Sequence, residues 1–287
     1  MEKVSDIMTP DVVCAKVPGV REDVFQLVHE HKHFGFPVVK KEKSGESVLV
    51  GIVTRTDLMR KPDENQIALL MTRDVISLNK DASLEETASV ILNNRIRRIP
   101  IVEDDKIVGI VTIADFVHKA ITRSDITDPI EKYMKREIVT VYEGTPLPVA
   151  LNIMELANVE LMPVLNDASE LSGVVSKADL IASSEVISER KISSMSAESE
   201  GDSWSWDAIP QLVVTKKELR LPSKPVSEIM IKNVISTFKQ TPINDCAKLM
   251  RKHDIDQIPV MTIDGELVGI IRDTDLLQAY LDRISKK

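Results

Sequence analysis

A seven-residue stretch that occurs four times constrains this chain more than any other feature. Each copy begins with glycine, continues with two β-branched residues, reaches a polar or charged residue and ends on aspartate. The copies are residues 51–57 (GIVTRTD), 109–115 (GIVTIAD), 173–179 (GVVSKAD) and 269–275 (GIIRDTD). The β-branched pair predicts a short buried strand, and the recurrence predicts a chain built from similar structural units.

The same register extends through the rest of each repeat. In every copy a methionine lies 29 residues before a proline with apolar neighbours: Met8 and Pro37, Met71 and Pro100, Met134 and Pro163, Met230 and Pro259. Positions 17 and 20 after the methionine are apolar in all four copies, which predicts one face of a helix: Phe25 and Val28, Ala88 and Ile91, Leu151 and Met154, Ala247 and Met250. The predicted unit is a short strand, an amphipathic helix, an X-Pro strand, a glycine-led strand and a second helix.

These residues carry a resemblance to a known family. The Met-Thr start of the first two copies, the apolar-Pro strand and the Gly-x-x-Thr-x-x-Asp ending resemble the CBS domain, the repeat named after cystathionine β-synthase. The resemblance implies an α/β (α+β) fold of tandem β-α-β-β-α repeats, paired into two Bateman modules. It also implies a disc-like assembly, as in the γ subunit of AMP-activated protein kinase, formed by a monomer or by a homodimer.

The spacing of the four methionines divides the chain into segments. The first three are 63 residues apart, whereas the last two are 96 apart. We therefore expect CBS repeats at residues 1–62, 63–124, 125–182 and 225–287, with an insertion at residues 183–224. The insertion contains a serine- and glutamate-rich stretch at residues 193–203, which predicts a mobile loop, and a strand-like run at residues 212–215. Its Trp204 and Trp206 pack on the chain's own surface or dock a partner, and the sequence leaves both open.

Composition and charge argue against several classes of function. A net charge of −8 argues against general nucleic-acid binding, which needs a basic surface for phosphates. The two cysteines, Cys14 and Cys246, are too few for a disulfide scaffold or a zinc site, so we expect no metal. No signal core or long apolar run is present, which predicts a cytoplasmic protein without a membrane segment. The sequence also lacks a P-loop and a Ser/His/Asp set, which argues against an enzyme.

The Thr/Ser-x-x-Asp ending supports two interpretations. In the first it is only a helix N-terminal cap, whose hydroxyl accepts a hydrogen bond from a backbone N–H. In the second, the same helix start and carboxylate also face a ligand. The resemblance implies the second use, in which the aspartate holds a ribose, the Thr or Ser holds ribose or phosphate, and the apolar-Pro strand covers adenine.

Carried over copy by copy, the resemblance assigns the candidate ligand-binding residues. They are Phe36, Pro37, Thr54 and Asp57 in the first repeat; Ile76, Arg97, Arg98, Ile99, Pro100, Thr112 and Asp115 in the second; Ser176 and Asp179 in the third; and Arg272 and Asp275 in the fourth. The second copy is the best equipped, because its arginines offer guanidinium groups for phosphate. A solvated turn is the alternative for those arginines.

The third and fourth copies depart from this pattern. Glu160 precedes the proline of the third repeat and disfavours phosphates by like-charge repulsion, which favours a less anionic ligand such as S-adenosylmethionine. In the fourth repeat Arg272 stands in the Thr/Ser position. The hydroxyl role is lost there, although Arg272 is itself a candidate phosphate ligand.

The first functional hypothesis is a non-catalytic regulatory sensor. It binds AMP, ADP, ATP or S-adenosylmethionine in clefts between paired repeats and transmits occupancy to a protein partner that the sequence does not identify. The ligand is regulatory, and no cofactor is required. The alternatives are a nucleic-acid-binding protein and a purely structural CBS scaffold.

Overall fold

The structure is a computed structural model that describes residues 2–31, 33, 35–42, 47–61, 63–194 and 211–285. Trp204 and Trp206 of the insertion lie outside the described residues. The chain divides into two compact units. The first unit is Met1–Lys135, Thr237–Val260 and Ile270–Lys287, and the second is Arg136–Ser236 and Met261–Gly269.

The predicted β-α-β-β-α order is confirmed in the first two repeats. The first contains β1 (Ala15–Val17), α1 (Arg21–His31), β2 (Gly35–Lys41), β3 (Ser47–Thr54) and α2 (Arg55–Arg60). The second contains α3 (Ile67–Leu70), β4 (Leu78–Asn79), α4 (Leu84–Asn94), β5 (Arg98–Glu103), β6 (Lys106–Thr112) and α5 (Ile113–Asp115). Helix α5 continues as a π-helix at Phe116–Ala120 and a 3-10 helix at Ile121–Arg123.

The third and fourth repeats follow the same order. The third contains β7 (Val141–Tyr142), α6 (Leu147–Ala157), β8 (Leu161–Leu165), β9 (Leu171–Ser176) and α7 (Lys177–Ala182). The insertion contributes β10 (Glu185–Ser194) and β11 (Gln211–Arg220), which pair antiparallel where the sequence predicted a single short strand. The fourth repeat contains β12 (Thr237–Phe238), α8 (Ile243–His253), β13 (Gln257–Met261), β14 (Leu267–Arg272) and α9 (Asp273–Ile284).

Each repeat builds the same small sheet. In the first three repeats the first strand pairs parallel with the X-Pro strand, which pairs antiparallel with the glycine-led strand. In the first two repeats these triplets join into one sheet of order β1-β2-β3-β6-β5-β4, through a single pair between Val48 and Lys106. The other two triplets have the orders β7-β8-β9 and β12-β13-β14.

The segment before each first strand packs on the paired repeat rather than on its own. Thr9 bridges to Ile110, and Thr72 bridges to Ile52, so the first two repeats exchange these segments. Lys135 bridges to Ile270 of the fourth repeat in the same way. This exchange places the start of one repeat beside the glycine-led strand of the other.

The exchange explains why glycine begins the repeated motif at Gly51, Gly109 and Gly173. A Cβ atom on Gly109 would lie 2.4 Å from the sulfur of Met8, and one on Gly51 would lie 2.5 Å from the sulfur of Met71. Side chains do not tolerate such distances, so the glycine leaves room for the methionine of the paired repeat. In the second unit, a Cβ atom on Gly173 would lie 2.7 Å from the sulfur of Met230.

The predicted helix face is confirmed in three repeats and fails at one residue of the first. Ala88 and Ile91 of α4, Ala247 and Met250 of α8 and Met154 of α6 are buried. Leu151 of α6 and Val28 of α1 are partly buried against the core. In α1 the core position belongs to Val24, which is fully buried.

Phe25, which the periodicity placed on this face, remains 45% exposed. Adjacent helical residues point about 100° apart, so burying Val24 turns Phe25 toward the helix flank.

Within the described residues, no helix is long and apolar enough to cross a bilayer.

Candidate functional site

The first repeat builds its helix start around Thr54 and Asp57. The backbone N–H and the hydroxyl of Thr54 both donate to Asp57 Oδ2, at 2.8 and 2.6 Å, and Asp57 N–H donates back to Thr54 Oγ1 at 3.3 Å. This reciprocal capping box starts α2. Among the described residues, none donates a hydrogen bond to Asp57 Oδ1, and the half-buried carboxylate therefore keeps one oxygen available.

The third repeat reproduces this geometry with serine. Ser176 donates to Asp179 Oδ2 through its N–H at 2.8 Å and through its hydroxyl at 2.6 Å. No described residue donates to Asp179 Oδ1. Lys177 pairs with Glu160 at 2.9 Å, so a cation partly offsets the negative charge beside this site.

The second repeat has the same cap but a different environment around its carboxylate. Thr112 donates to Asp115 Oδ2 through its N–H at 2.9 Å and its hydroxyl at 2.7 Å. Asp115 Oδ1 accepts from Thr9 Oγ1 at 3.2 Å and from Lys119 Nζ at 2.8 Å. Asp115 is buried, and both of its oxygens are engaged by the chain itself.

In the fourth repeat, the replacement of the hydroxyl residue by arginine closes the carboxylate. Arg272 donates to Asp275 from Nε at 3.0 Å and from a terminal nitrogen at 2.9 Å, which is a two-bond ion pair. Hydrogen bonding to Asp275 raises the pKa of Arg272. The ammonium of Lys135 lies 4.0 Å from the same carboxylate.

The arginines that the sequence assigned to phosphate have protein partners in this structure. Arg97 contacts Asp273 at 2.5 Å and Asp256 at 3.2 Å, which ties the second repeat to the fourth within the first unit. Arg98 donates to the backbone carbonyl of Gly35 at 2.8 Å, and burial lowers its pKa. The two guanidinium groups therefore have different partners rather than forming one cluster.

Asp273 is the strongly perturbed acid in this group. Its side chain is 5% exposed, and burial raises its pKa to about 6, although Arg97 acts in the opposite direction. Thr274 N–H donates to Asp273 Oδ1 at 2.7 Å, and Asp273 N–H donates to the carbonyl of Asp256 at 2.8 Å. Asp273 is therefore the first residue of α9, and its carboxylate contacts Arg97 of the second repeat.

The apolar candidates divide into core residues and one exposed residue. Phe36 is 1% exposed and Ile99 is fully buried, so both residues belong to the core. Pro37 and Pro100 are buried in the X-Pro strands, opposite Ile52 and Ile110. Ile76 is 38% exposed and is the accessible apolar side chain of this set.

A comparison with protein-family models shows which family this chain belongs to. The CBS domain model matches residues 4–64, 66–128, 130–185 and 226–282, which together make up most of the chain. The chain belongs to the CBS domain family. The resemblance noted from the sequence is confirmed.

Known CBS proteins include relatives over the whole length of this chain. A crystal structure of an uncharacterized conserved protein from Pyrococcus horikoshii has 28% identity and a TM-score of 0.68, and the match covers 98% of this chain and 100% of that one. MJ1225 from Methanocaldococcus jannaschii is 26% identical over 63% of this chain and 69% of its own length. The crystal structure of MJ1225, described as a candidate archaeal homolog of γ-AMPK, has a TM-score of 0.69, and the match covers 97% of this chain and 100% of that one. At 19% identity, this match shows the shared fold.

A catalytic protein also matches part of the chain. The inosine-5'-monophosphate dehydrogenase of Thermoplasma acidophilum is 29% identical over 46% of this chain, but the match covers only 25% of that enzyme. The shared part is the CBS domain. The match therefore assigns no dehydrogenase activity to this chain.

Sequence reasoning missed Lys119 and Thr9 as neighbours of Asp115. Lys119 follows Asp115 by four residues, a spacing that places both on one helix face and was a usable signal. Thr9 lies more than a hundred residues away in the sequence. Only the exchange of first segments between paired CBS repeats brings it to Asp115.

Proposed function

We propose that this CBS protein is a non-catalytic sensor that binds an adenosyl ligand and transmits occupancy to a protein partner. AMP, ADP, ATP and S-adenosylmethionine are the candidate ligands, acting as regulators rather than as cofactors. The clefts are those between paired repeats, beside the Thr/Ser-x-x-Asp motifs.

The available carboxylate oxygens of Asp57 and Asp179 carry this proposal. In both, one oxygen completes the helix cap, and no described residue donates to the other. A carboxylate oxygen is a strong acceptor and suits the paired hydroxyls of a ribose. The cap fixes the carboxylate in place before the ligand arrives, which reduces the entropy lost on binding.

The phosphate contacts are assigned to Arg97 and Arg98. Arg97 has 51% of its side chain exposed and already binds two carboxylates, so a phosphate would compete with Asp273 and Asp256 for it. Arg98 is held at the carbonyl of Gly35, the first residue of the X-Pro strand of the first repeat. Ligands with different numbers of phosphates are therefore expected to differ in how strongly they disturb the Arg97 ion pairs.

The exchange of first segments offers a route from the ligand to the rest of the protein. Each cleft is bordered by a segment from the paired repeat, as Thr72 beside Ile52 illustrates. A ligand that fits one arrangement of the two repeats better than another shifts the population toward that arrangement. The shift cannot exceed the difference in binding free energy between the two arrangements.

Isothermal titration calorimetry of the full chain tests the proposal. AMP, ADP, ATP and S-adenosylmethionine are titrated separately at up to millimolar concentration, and saturable binding of at least one of them is expected. Asp57→Asn is expected to weaken binding, because the amide lacks the charge that strengthens ribose hydrogen bonds.

Thr54→Ser is the matched control, since Ser176 fills the same role in the third repeat. It is expected to bind like the unchanged chain. An absence of heat with all four ligands refutes the proposal. Unchanged binding in a variant that has all four aspartates replaced, Asp57, Asp115, Asp179 and Asp275, refutes it as well.

A further inference from the structure

We infer that the aspartates of the second and fourth repeats are occupied by cations of the chain itself, so that only the first and third repeats take adenosyl ligand. This inference rests on the proposed function and restricts it to two of the four motifs. It reverses the ranking from the sequence, in which the second repeat looked best equipped.

The first observation is the number of donors around Asp115. Its Oδ2 accepts two bonds from Thr112, and its Oδ1 accepts bonds from Thr9 and Lys119. An ionised carboxylate has about four acceptor positions, and the protein fills them. Lys119 also donates to the carbonyl of Ile7 at 2.6 Å, which anchors the ammonium from a second side.

The second observation explains why Lys119 reaches the carboxylate. The first repeat has the same residue type at the same spacing, because Lys61 follows Asp57 by four residues. Helix α2 ends at Arg60, and Lys61 instead donates to the carbonyl of Leu69 at 2.6 Å.

In the second repeat the helix does not end but continues as the π-helix at Phe116–Ala120, which keeps Lys119 on the face of Asp115. π-helical turns are rare and occur often at functional sites. The difference between the two repeats is therefore one of helix length rather than of residue type.

The third observation comes from the fourth repeat, where different residues give the same result. Arg272 binds both oxygens of Asp275, and Lys135 lies 4.0 Å from it. Lys135 directly follows the methionine of its repeat, as Thr9 does in the first repeat. Both reach the aspartate of the paired repeat.

All four residues at this position bridge to the paired repeat through their backbone, but in the other two repeats no described side-chain bond joins them to its aspartate. Thr72 and Ile231 form backbone bridges to Ile52 and Val174, beside the motifs of Asp57 and Asp179. Isoleucine has no polar side-chain atom to offer a carboxylate. The residue after the methionine therefore separates the closed motif beside Lys135 from the open one beside Ile231. The first two repeats both have threonine at this position, and there Lys119 makes the difference.

A ribose that approached Asp115 would have to displace a charge-assisted bond that is already formed. Such bonds are stronger than those from neutral hydroxyls, and Asp115 has only 11% of its side chain exposed. The expected stoichiometry is at most two ligands per chain, bound beside Asp57 and Asp179.

Calorimetric stoichiometry with AMP and S-adenosylmethionine tests this inference in the full chain. The double variant D57N/D179N is expected to lose all binding, although Asp115 and Asp275 are intact. Adding Lys119→Met to the double variant is expected to restore one site, because methionine keeps the apolar stem and removes the ammonium. Lys61→Met in the same background is the matched control and is expected to restore none.

The outcomes separate this inference from the proposed function. If the unchanged chain binds none of the four adenosyl ligands, both fail. If the double variant retains a site that Asp115→Asn or Asp275→Asn then removes, this inference alone is overturned. The double variant leaves Lys119 in place, so its result is decisive even if Lys119→Met does not fold, as judged by circular dichroism.

Discussion

Replacing Asp273 with asparagine is expected to change the pH dependence of stability in a defined direction. Asp273 is a buried carboxylic acid between the second and fourth repeats, paired with Arg97 at 2.5 Å. Burial raises its pKa from 3.8 to about 6 in the folded chain. A difference of about two pKa units corresponds to about 3 kcal/mol of unfolding free energy.

The sign follows from which state binds the proton more tightly. Between pH 3.8 and about 6 the folded chain keeps the proton on Asp273 while the unfolded chain releases it. The contribution of Asp273 to the unfolding free energy is therefore fully present below pH 3.8. It is lost as the pH rises through about 6. Asparagine does not titrate, so the variant lacks this loss.

Urea denaturation of the unchanged chain and of Asp273→Asn measures the effect. The two conditions, about pH 4 and about pH 7.5, lie on either side of the sequence pI of about 5.3, where low net charge favours association. Relative to the variant, the unchanged chain is expected to lose about 2 kcal/mol of unfolding free energy between the two conditions. Asp256→Asn is the control, because it removes a neighbouring carboxylate whose side chain is 56% exposed.

Two results would refute this reasoning. If the difference between the two chains is the same at both pH values, the pKa of Asp273 is not raised in the folded state. If the unchanged chain gains stability relative to the variant as the pH rises, attraction to Arg97 outweighs burial. In that case the ion pair, rather than desolvation, determines the charge of Asp273.

Three further predictions follow from the fold and the caps. Gly109→Ala is expected to lower the unfolding free energy by about 1–3 kcal/mol, because its Cβ would lie 2.4 Å from the sulfur of Met8. Met8→Ala in the same chain should recover part of that loss in urea denaturation, and no recovery would contradict the packing argument. Thr54→Ala is expected to cost about 1 kcal/mol through loss of the α2 cap, and an unchanged urea midpoint would contradict it. Burial raises the pKa of Cys246 to about 12, so its thiol should react with a disulfide reagent only after unfolding, and rapid labelling of the native chain at mildly alkaline pH would contradict this.

The fold could be predicted from the sequence because its determinants are local and occur four times. The β-branched pairs, the X-Pro strands and the helical spacing each predict one element. The contact between the methionine of one repeat and the glycine of its paired repeat could not be predicted. Gly109 faces Met8 of the paired repeat, and no local pattern shows that the first segments are exchanged.

The helix caps of the candidate site could be predicted from the sequence, but the partners of its charged side chains could not. The caps formed by Thr54, Thr112 and Ser176 follow from the Thr/Ser-x-x-Asp spacing. The partners of Arg97 do not, because Asp273 comes from another repeat. The sequence offered Arg97 and Arg98 either to a phosphate or to a solvated turn, and it did not show that each guanidinium has its own protein partner.

The exchange of first segments gives paired CBS repeats a physical basis for coupling. Thr72 lies beside the strand that leads to Asp57, and it belongs to the repeat that carries Asp115. Thr9 belongs to the repeat that carries Asp57, and it hydrogen-bonds to Asp115. The first two repeats are therefore linked by contacts beside both aspartates. Under the proposed function, the motif at Asp115, closed by Lys119 of its own repeat, is the fixed side against which a ligand at Asp57 moves the first repeat.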